Sequence, residues 1–408
     1  MKKLLPLSVL SFTLLSANQS FDNSKFIPDI SLIMDGSYVH RSIKDDEAKH
    51  LELPSIAHGL IGSHKHGGHE HATYNQEKGF NLNYAELVLS SSVDPLLNLD
   101  GVFHFSQNGV EIEELYFTSN VLGDGFKLKG GKFLSNFGYL NEQHHHSWNF
   151  GTMPLVYHGF LGDHGINEKG LQLQYTLPTP IYTMIGVEAL QGENEGSFGH
   201  EGIEEMGVSK KDGATMFVGY IKSSYDIGDT TLFGGISYAS GKSRHDHSDD
   251  DENPHAFAGD AKLYGADFVL FHQLNSYSYI KWQSEYLQRE LKGQSYNFTS
   301  KKFADVTKKQ GGFYSELIYA YDKNYRTGIR YDGITKNSVL KNGKNSPQPS
   351  GLNRYTAMVE YNTSEFARFR LEYSHDRSMF DENDKRKKIN TIMLQANISI
   401  GAHAPHSF

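Results

Sequence analysis

Residues 389–401 of the 408-residue chain read Ile-Asn-Thr-Ile-Met-Leu-Gln-Ala-Asn-Ile-Ser-Ile-Gly. Every second position from Ile392 to Ile400 is apolar, whereas Gln395, Asn397 and Ser399 occupy three of the four positions between them. Successive side chains of a β-strand point to opposite faces. This period of two therefore predicts a strand with one apolar and one polar face.

The same alternation recurs along the chain. Sixteen strand-like segments follow the N-terminal region, beginning with Ser31–His40 and ending with Ile389–Gly401. Most are close to the 9–11 residues that a tilted strand needs to cross a bilayer. Alternation alone is equally typical of a soluble β-sandwich, so the connections between the strands have to separate the two classes.

Short links alternate with long polar links between these segments. Gly123-Asp124-Gly125 and similar short links consist of turn residues, whereas Gly241–Asp260, Leu291–Gln310 and Thr335–Asn353 predict long loops. An up-and-down barrel with tight periplasmic turns and long outer loops has this alternation. We predict an all-β, antiparallel transmembrane barrel of about 16 strands, surrounded by lipid of the bacterial outer membrane.

Composition excludes other classes of protein. The mean hydropathy is −0.52 and the hydrophobic fraction is 38%, which excludes a helical membrane protein. The net charge of −9 disfavours nucleic-acid binding. The chain has no cysteine, so an exported form would have no disulfide bond.

The N-terminus predicts export. Lys2 and Lys3 precede the apolar stretch Leu4–Leu15, and small residues follow near Ala17. This pattern is typical of a secretory signal peptide. We predict a signal peptide at residues 1–20, cleaved near Ala17, and a single barrel domain at residues 21–408 without a separate plug domain.

The 21 histidines form the most unusual feature of the composition, and most of them fall in predicted outer loops. Imidazole and carboxylate groups are ligands for zinc and other first-row divalent ions. The predicted metal ligands are His58, His64, His66, His69, His71, His144, His145, His146, His245 and His247. No spacing matches a fixed site, so the sequence defines no ligand set. The alternative is that these tracts are solvated, pH-sensitive loops.

Charged residues on the polar strand faces would line the lumen of a barrel. These are Lys281, Glu285, Arg326, Arg330, Glu360, Arg368, Arg370 and Glu372. The arginines could steer anions through an aqueous channel, or acids and bases could pair across strands. Residues Asn136–Lys169 are too apolar for a free loop, and they are the predicted constriction of the lumen.

Three stretches resemble a known bacterial family. They begin at Pro28-Asp29-Ile30-Ser31, at Phe137-Gly138-Tyr139-Leu140 and at Gly401-Ala402-His403-Ala404. They are similar to proteins described as zinc-regulated, TonB-dependent outer-membrane receptors, which are porin-like in appearance. The resemblance implies an outer-membrane barrel that takes up zinc. The terminal Phe408 also resembles the signal that the barrel-assembly machinery recognises.

These observations predict a porin-like outer-membrane channel whose histidine-rich outer loops bind zinc or another divalent metal as a ligand, with no cofactor required. One alternative is a general or anion-preferring porin, and another is a surface metal-binding or adhesion protein without transport. No nucleophile, base and orienting group converge on one strand face, so we expect no enzymatic activity. A homo-trimer is a further expectation.

Overall fold

The computed structural model describes residues 28–60, 74–107, 109–194, 196–248 and 254–401. One antiparallel sheet dominates these residues. Its sixteen main strands are β1 (Asp29–Arg41), β2 (Gly79–Asp94), β3 (Leu97–Ser106), β4 (Gly109–Ser119), β5 (Phe126–Leu134), β6 (Asn167–Thr176), β7 (Tyr182–Leu190), β8 (Met216–Ile227), β9 (Thr230–His247), β10 (His255–Gln273), β11 (Tyr279–Asn297), β12 (Lys302–Ala320), β13 (Tyr325–Lys341), β14 (Leu352–Ser364), β15 (Ala367–Asp376) and β16 (Ile389–Gly401).

The sheet closes on itself through its first strand. Met34 of β1 is opposite Ala85 of β2 on one side and opposite Ile398 of β16 on the other. Consecutive strands pair around the rest of the ring, and a short strand, Lys344–Ser346, adds to β13 at one rim. Closure pairs the backbone groups that a free sheet edge would leave exposed to lipid. The prediction of a 16-stranded, up-and-down antiparallel barrel is confirmed.

Strand length varies around the barrel. Strands β10, β11 and β12 each have 19 residues, whereas β5 and β7 each have nine. The prediction of long loops at Gly241–Asp260 and Leu291–Gln310 is therefore wrong, because most of these residues belong to strands. Their ladders continue to His247↔His255 and Asn297↔Lys302, and β13 likewise extends to Lys341 within the third predicted loop. Both faces of these extensions carry polar residues, so the apolar period disappears although the backbone ladder continues.

Short turns lie at the rim opposite the long connections, as predicted. The turn between β10 and β11 shows why its sequence suits this position. The side-chain oxygen of Asn275 accepts hydrogen bonds of 3.0 Å from the backbone N–H groups of Tyr277 and Ser278. Asparagine stabilises such turns because its side chain replaces a backbone acceptor.

The connections contain a few small elements. They are the helices α1 (Asp45–Lys49) and α2 (Leu155–Leu161), the 3-10 turns His145–Ser147 and Glu204–Met206, and a ribbon of Glu52–Leu53 with Ala57–His58. Within the described ranges, no helix combines the length and apolarity that crossing a membrane requires.

The two faces of the strands differ as the sequence predicts. On β16, Ile392 and Leu394 are 48% and 52% exposed on the outer face, whereas Gln395 is 1% exposed on the inner face. The outer face is therefore apolar and suited to lipid. The interior differs from the open aqueous channel that sixteen strands predict, because residues 135–166 fold into it and bury the inward-facing side chains.

Candidate functional site

The segment of residues 135–166, here called the inner loop, runs from β5 to β6 through the interior of the barrel. Its aromatic residues account for this position, because Phe137, Trp148, Tyr157 and Phe160 are buried in one apolar cluster with residues of the barrel wall. Burial of apolar surface of this size outweighs the advantage of an exposed loop. The inner loop matches the predicted constriction segment, Asn136–Lys169.

Carboxylates of the wall hold the inner loop on the β11–β15 side. Glu285 accepts hydrogen bonds from the N–H groups of Tyr139 (2.8 Å) and Leu140 (2.9 Å) and from the hydroxyl of Tyr157 (2.8 Å). Glu372 accepts from the N–H of Gly151 at 2.9 Å. These two carboxylates therefore fix the inner loop to the barrel wall.

Arginines of the same wall bind carbonyl groups of the inner loop. Arg330 donates to the backbone oxygen of Thr152 at 2.8 Å, and Arg370 donates to that of Trp148 at 2.8 Å. Arg368 donates to the backbone oxygen of His146. Lys281 lies over the ring of Tyr139, with 5.2 Å between its Nζ and the ring centroid.

Arginines of this wall also pair with acids, either of a neighbouring strand or, for Arg330, of the same strand. Arg326 and Arg370 lie 2.7 and 3.0 Å from the carboxylate of Glu360, and Arg330 lies 3.1 Å from that of Asp332. All the predicted lumen residues thus face the interior. Pairing with acids, the second of the two interpretations, describes these arginines better than an open anion path, and their bonds to the inner loop are an additional role that the sequence did not predict.

On the opposite side, the inner loop meets β2, β3 and β4 through histidines. The 3-10 turn at His145–Ser147 directs alternate rings to opposite sides. His144 and His146 form one stack, with 5.7 Å between ring centroids, and both face carboxylates of the wall. His145 instead stacks on Tyr74, with 4.1 Å between ring centroids.

Glu86, Glu113 and His144 form the candidate metal centre. One ligand atom from each lies within 4.8 Å of those of the other two, and Glu86 and Glu113 are buried. Nδ1 of His144 is 3.6 Å from Oε2 of Glu113 and 3.9 Å from Oε2 of Glu86. The centre therefore combines two carboxylates of the wall with an imidazole of the inner loop.

The hydrogen bond on the far side of His144 fixes its orientation. Nε2 of His144 donates to Oε2 of Glu114 at 2.9 Å. A neutral imidazole that donates from Nε2 has a lone pair at Nδ1. Here Nδ1 faces the two carboxylates that His104 also contacts, and a further cation between them, either a proton on Nδ1 or a metal ion, would be stabilised by their negative charge. A carboxylate that orients a metal-binding histidine in this way is a frequent outer-shell partner of metal sites.

The pKa of His144 is consistent with that stabilisation. Burial alone disfavours the charged imidazolium, but the carboxylates of Glu86, Glu113 and Glu114 outweigh this effect and raise the pKa of His144 well above its ordinary value. In the described residues, Oε1 of Glu86 and Nδ1 of His144 are buried and have no hydrogen-bond partner. Buried polar atoms of this kind point to an ion or a water molecule.

The surroundings of the centre are polar and nearly closed. Nε2 of His104 lies 3.0 Å from Oε2 of Glu86, and the ring of His104 stacks on Tyr84 with 4.5 Å between centroids. A cavity of about 30 Å³ borders Glu113 and His145. This space is large enough for one water molecule or one ion.

The predicted metal ligands have different locations. His64, His66, His69 and His71 lie outside the described residues. Nδ1 of His58 lies 3.6 Å from Oε1 of Glu52, in the ribbon at the loop rim. His144, His145 and His146 lie inside the barrel rather than in an exposed outer loop. His145 is a structural residue: burial lowers its pKa, and its Nε2 donates to the backbone oxygen of Gly151 at 3.1 Å.

Sequence analysis did not identify Glu86, His104 and Glu113. A β-bulge explains part of this failure, because Val102 is opposite Glu114 while Phe103 is opposite Ile112. Glu113 is the extra residue of this bulge, which allows both Glu113 and Glu114 to turn inward. The available signal was the acidic run Glu111-Ile112-Glu113-Glu114 in a strand with irregular alternation.

No protein-family model matches the chain. A curated protein of Aquifex aeolicus (strain VF5), described as "Uncharacterized protein", is 46% identical over 391 residues, which cover 95% of this chain and 81% of the relative. The chain belongs to the family of this Aquifex protein. Because the relative is uncharacterized, membership of the family assigns no activity.

Solved structures of outer-membrane porins share the fold of this family. The anion-selective porin from Comamonas acidovorans has a TM-score of 0.52 at 10% identity, over 91% of this chain and 99% of the porin. In-vitro folded OmpT of Vibrio cholerae has a TM-score of 0.51 at 11% identity, over 91% of this chain and 97% of OmpT, and a trimer form of OmpT has 0.50. The outer-membrane channel DcaP of Acinetobacter baumannii has a TM-score of 0.50 at 11% identity, over 91% of this chain and 97% of DcaP.

These comparisons establish a porin-like barrel of the bacterial outer membrane. They also correct the family resemblance. The resemblance to TonB-dependent receptors is wrong, because such transporters are 22-stranded barrels with a plugged lumen, whereas this chain closes a barrel of sixteen main strands and resembles porins.

Proposed function

We propose that this protein is a porin-like channel that takes up a divalent metal ion, with zinc as the first candidate, and that Glu86, Glu113 and His144 bind the ion inside the barrel. The observation that carries the proposal is Nδ1 of His144, which is buried without a hydrogen-bond partner among the described residues and lies 3.6 and 3.9 Å from two buried carboxylates. The porin-like fold supports a channel, and the donor set supports the ion.

The donor set favours a first-row divalent cation. Two carboxylates and one neutral imidazole match the charge of a divalent ion, and mixed nitrogen and oxygen ligands are typical of zinc. Ligand atoms spread over 4.8 Å must approach to about 2.0–2.2 Å from the ion, so binding would draw His144 towards Glu86 and Glu113. Three protein ligands leave a coordination position open, which suits an ion that has to leave again.

Location also supports the proposal. Glu86 lies in the middle of β2, and His144 belongs to the inner loop that narrows the lumen. An ion bound there would lie inside the barrel, beside the inner loop, rather than at its outer surface. The predicted role of His64, His66, His69 and His71, which is to concentrate metal at the mouth, remains a proposal.

Conductance measurements test both parts of the proposal. Purified protein in planar bilayers should give discrete conductance steps that micromolar zinc changes and magnesium does not. The double variant Glu86→Gln/Glu113→Gln should lose the response to zinc and keep the steps. A matched control is His272→Gln, since His272 bonds Thr230 near the short-turn rim, far along the strand from the centre.

Each alternative function corresponds to a different result. Conductance without a zinc response would leave a general or anion-preferring porin and would overturn the metal site. Absence of conductance, together with zinc binding, would overturn the channel and leave a surface metal-binding protein. Hydrolysis of phospholipid or peptide substrates by the wild-type protein would contradict the expectation that the chain is not an enzyme.

The proposal includes a homo-trimer. OmpT of Vibrio cholerae has been solved in a trimer form and shares this fold. Native mass spectrometry in detergent should then detect three copies of the chain. A monomer at all protein concentrations would overturn the trimer without affecting the channel or the metal site.

A further inference from the structure

The extended hairpin of β9 and β10 carries three histidines beyond the part of the barrel that alternates apolar and polar residues. His245 and His247 are two residues apart on β9, and His255 begins β10. Residues at positions i and i+2 of a strand share a face. His247 and His255 are directly opposite each other in the register, so all three imidazoles lie on the same face of the hairpin.

The three rings form a continuous row. The centroids of His247 and His255 are 5.0 Å apart with 28° between ring planes, and those of His245 and His247 are 6.4 Å apart with 10° between planes. His247 is therefore the central ring and contacts both of the others. All three side chains are only partly buried, so solutes have access to the row.

The centroid separations, although not the stacked orientation of the rings, are close to those of imidazoles that share a metal ion. Zinc binds imidazole nitrogen at about 2.0–2.1 Å, which puts each ring centroid roughly 3.2 Å from the ion. Two such rings at a tetrahedral angle have centroids about 5.2 Å apart. The observed 5.0 and 6.4 Å lie on either side of this value, but both ring pairs are stacked, with 28° and 10° between planes. The nitrogen lone pairs lie in the ring planes, so metal binding requires the side chains to rotate out of the stack until their nitrogens converge on one ion.

We propose that His245, His247 and His255 form a second divalent-metal site at the outer end of the β9–β10 hairpin. The site deepens the proposed function as a point of capture outside the barrel, but metal binding there does not require transport. Three imidazoles leave one tetrahedral position for water, and a site with an open position exchanges its ligand more readily than a closed structural site.

Hairpin geometry distinguishes this site from a general effect of histidine content. Asp246 lies between His245 and His247 and points to the other face of the strand. The variant His247→Ala/Asp246→His therefore keeps the number of histidines but moves the central imidazole away from the row. We expect this variant to bind metal as poorly as the triple variant His245→Ala/His247→Ala/His255→Ala.

Zinc stoichiometry tests the site in the full-length protein. All variants are made in a background in which His64, His66, His69 and His71 are alanine, so that the first loop does not contribute. After equilibrium dialysis against zinc, elemental analysis should find one zinc ion fewer per chain in the triple variant than in the background. A control with three histidines that lie apart from one another, His40→Ala/His272→Ala/His375→Ala, should keep the stoichiometry of the background.

Two results would overturn this site: unchanged zinc stoichiometry in the triple variant, or full binding by the variant with the displaced imidazole. Heat-modifiable migration in gels checks that each variant still forms the barrel. Failure of the proposed function is recognised separately, because it concerns the conductance response of the Glu86→Gln/Glu113→Gln variant. The hairpin can bind zinc whether or not zinc changes conductance.

Discussion

Glu285 is the anchor whose removal should release the inner loop. Its carboxylate is 1% exposed and accepts hydrogen bonds from the N–H groups of Tyr139 and Leu140 and from the hydroxyls of Tyr157 and Tyr314. Three of these four donors belong to the inner loop. The substitution Glu285→Ala removes the acceptor for all of them and leaves the backbone of the strand unchanged.

The magnitude follows from the number of bonds that connect the inner loop to this residue. Hydrogen bonds to charged groups contribute about 1.5–3 kcal/mol each. Three of them would give roughly 4–9 kcal/mol if no donor found another partner. Water that enters the lumen should bond some of the released donors and so offset part of this loss. We therefore expect Glu285→Ala to reduce the free-energy difference between the attached and the detached inner loop by about 3 kcal/mol, which corresponds to a population of the detached state that is roughly a hundredfold larger.

Two assays report this change. Single-channel recordings of Glu285→Ala should show a larger or noisier conductance than the wild type, because the constriction is displaced for part of the time. Chymotrypsin should cleave the variant faster near Phe137–Leu140, since the inner loop contains aromatic residues but neither lysine nor arginine. The control Glu285→Gln keeps an acceptor oxygen and should give an intermediate result.

A specific outcome would refute the reasoning. If Glu285→Ala folds, conducts like the wild type and resists chymotrypsin equally, the inner loop is not held by this carboxylate. The remaining anchors, Glu372 and the arginines of β13–β15, would then suffice, and the energy attributed to Glu285 would be wrong.

Three further predictions concern other parts of the molecule. Arg289 is 1% exposed and donates to the backbone oxygens of Gly159 (3.1 Å) and Gly196 (2.6 Å), so Arg289→Met should lower the free energy of unfolding by about 3 kcal/mol in urea titrations, with Arg289→Lys less affected. The pKa of His144 is raised, so the stabilising attraction between its imidazolium and the surrounding carboxylates is fully present below about pH 6.5 and is lost as the pH rises through that raised pKa. Zinc must displace the proton of the imidazolium at Nδ1. The zinc concentration that gives half of the full conductance change should therefore decrease as the pH is raised from about 6 to about 8. A midpoint that does not depend on pH would exclude His144 as a ligand. Leu394→Arg, on the lipid face of β16, should cost about 2–4 kcal/mol in vesicle unfolding experiments, whereas Leu394→Ala should cost less.

Much of the fold could be predicted from local sequence. The strand count and the faces of strands such as β16 follow from a period of two, because lipid selects apolar residues at every second position. Short turns are recognisable because residues such as Asn275 have a local role there. The location of the inner loop inside the lumen could also be predicted, because its aromatic residues need burial, but its individual contacts could not.

The features that failed depend on contacts between distant segments. The extensions of β9 to β12 have polar residues on both faces, so no apolar period distinguishes them from loops. The metal centre needs the inner loop to bring His144 to β2 and β4, and it also needs the bulge at Glu113 to turn that residue inward. Neither condition leaves a local pattern in the sequence, and the histidine count directed attention to the outer loops instead.

The unequal strand lengths have a consequence for how the protein sits among its neighbours. At about 3.3 Å per residue and a tilt near 40°, the 19 residues of β10 rise roughly 48 Å, whereas the nine residues of β5 rise roughly 23 Å. The apolar band of an outer-membrane barrel is about 25 Å tall. The low side therefore ends near the head groups, and the tall side projects roughly 20 Å above them. The mouth is a slope rather than a level ring, so solutes that diffuse along the membrane surface reach it over β4–β7, and a neighbouring barrel can approach that side without meeting the projecting wall.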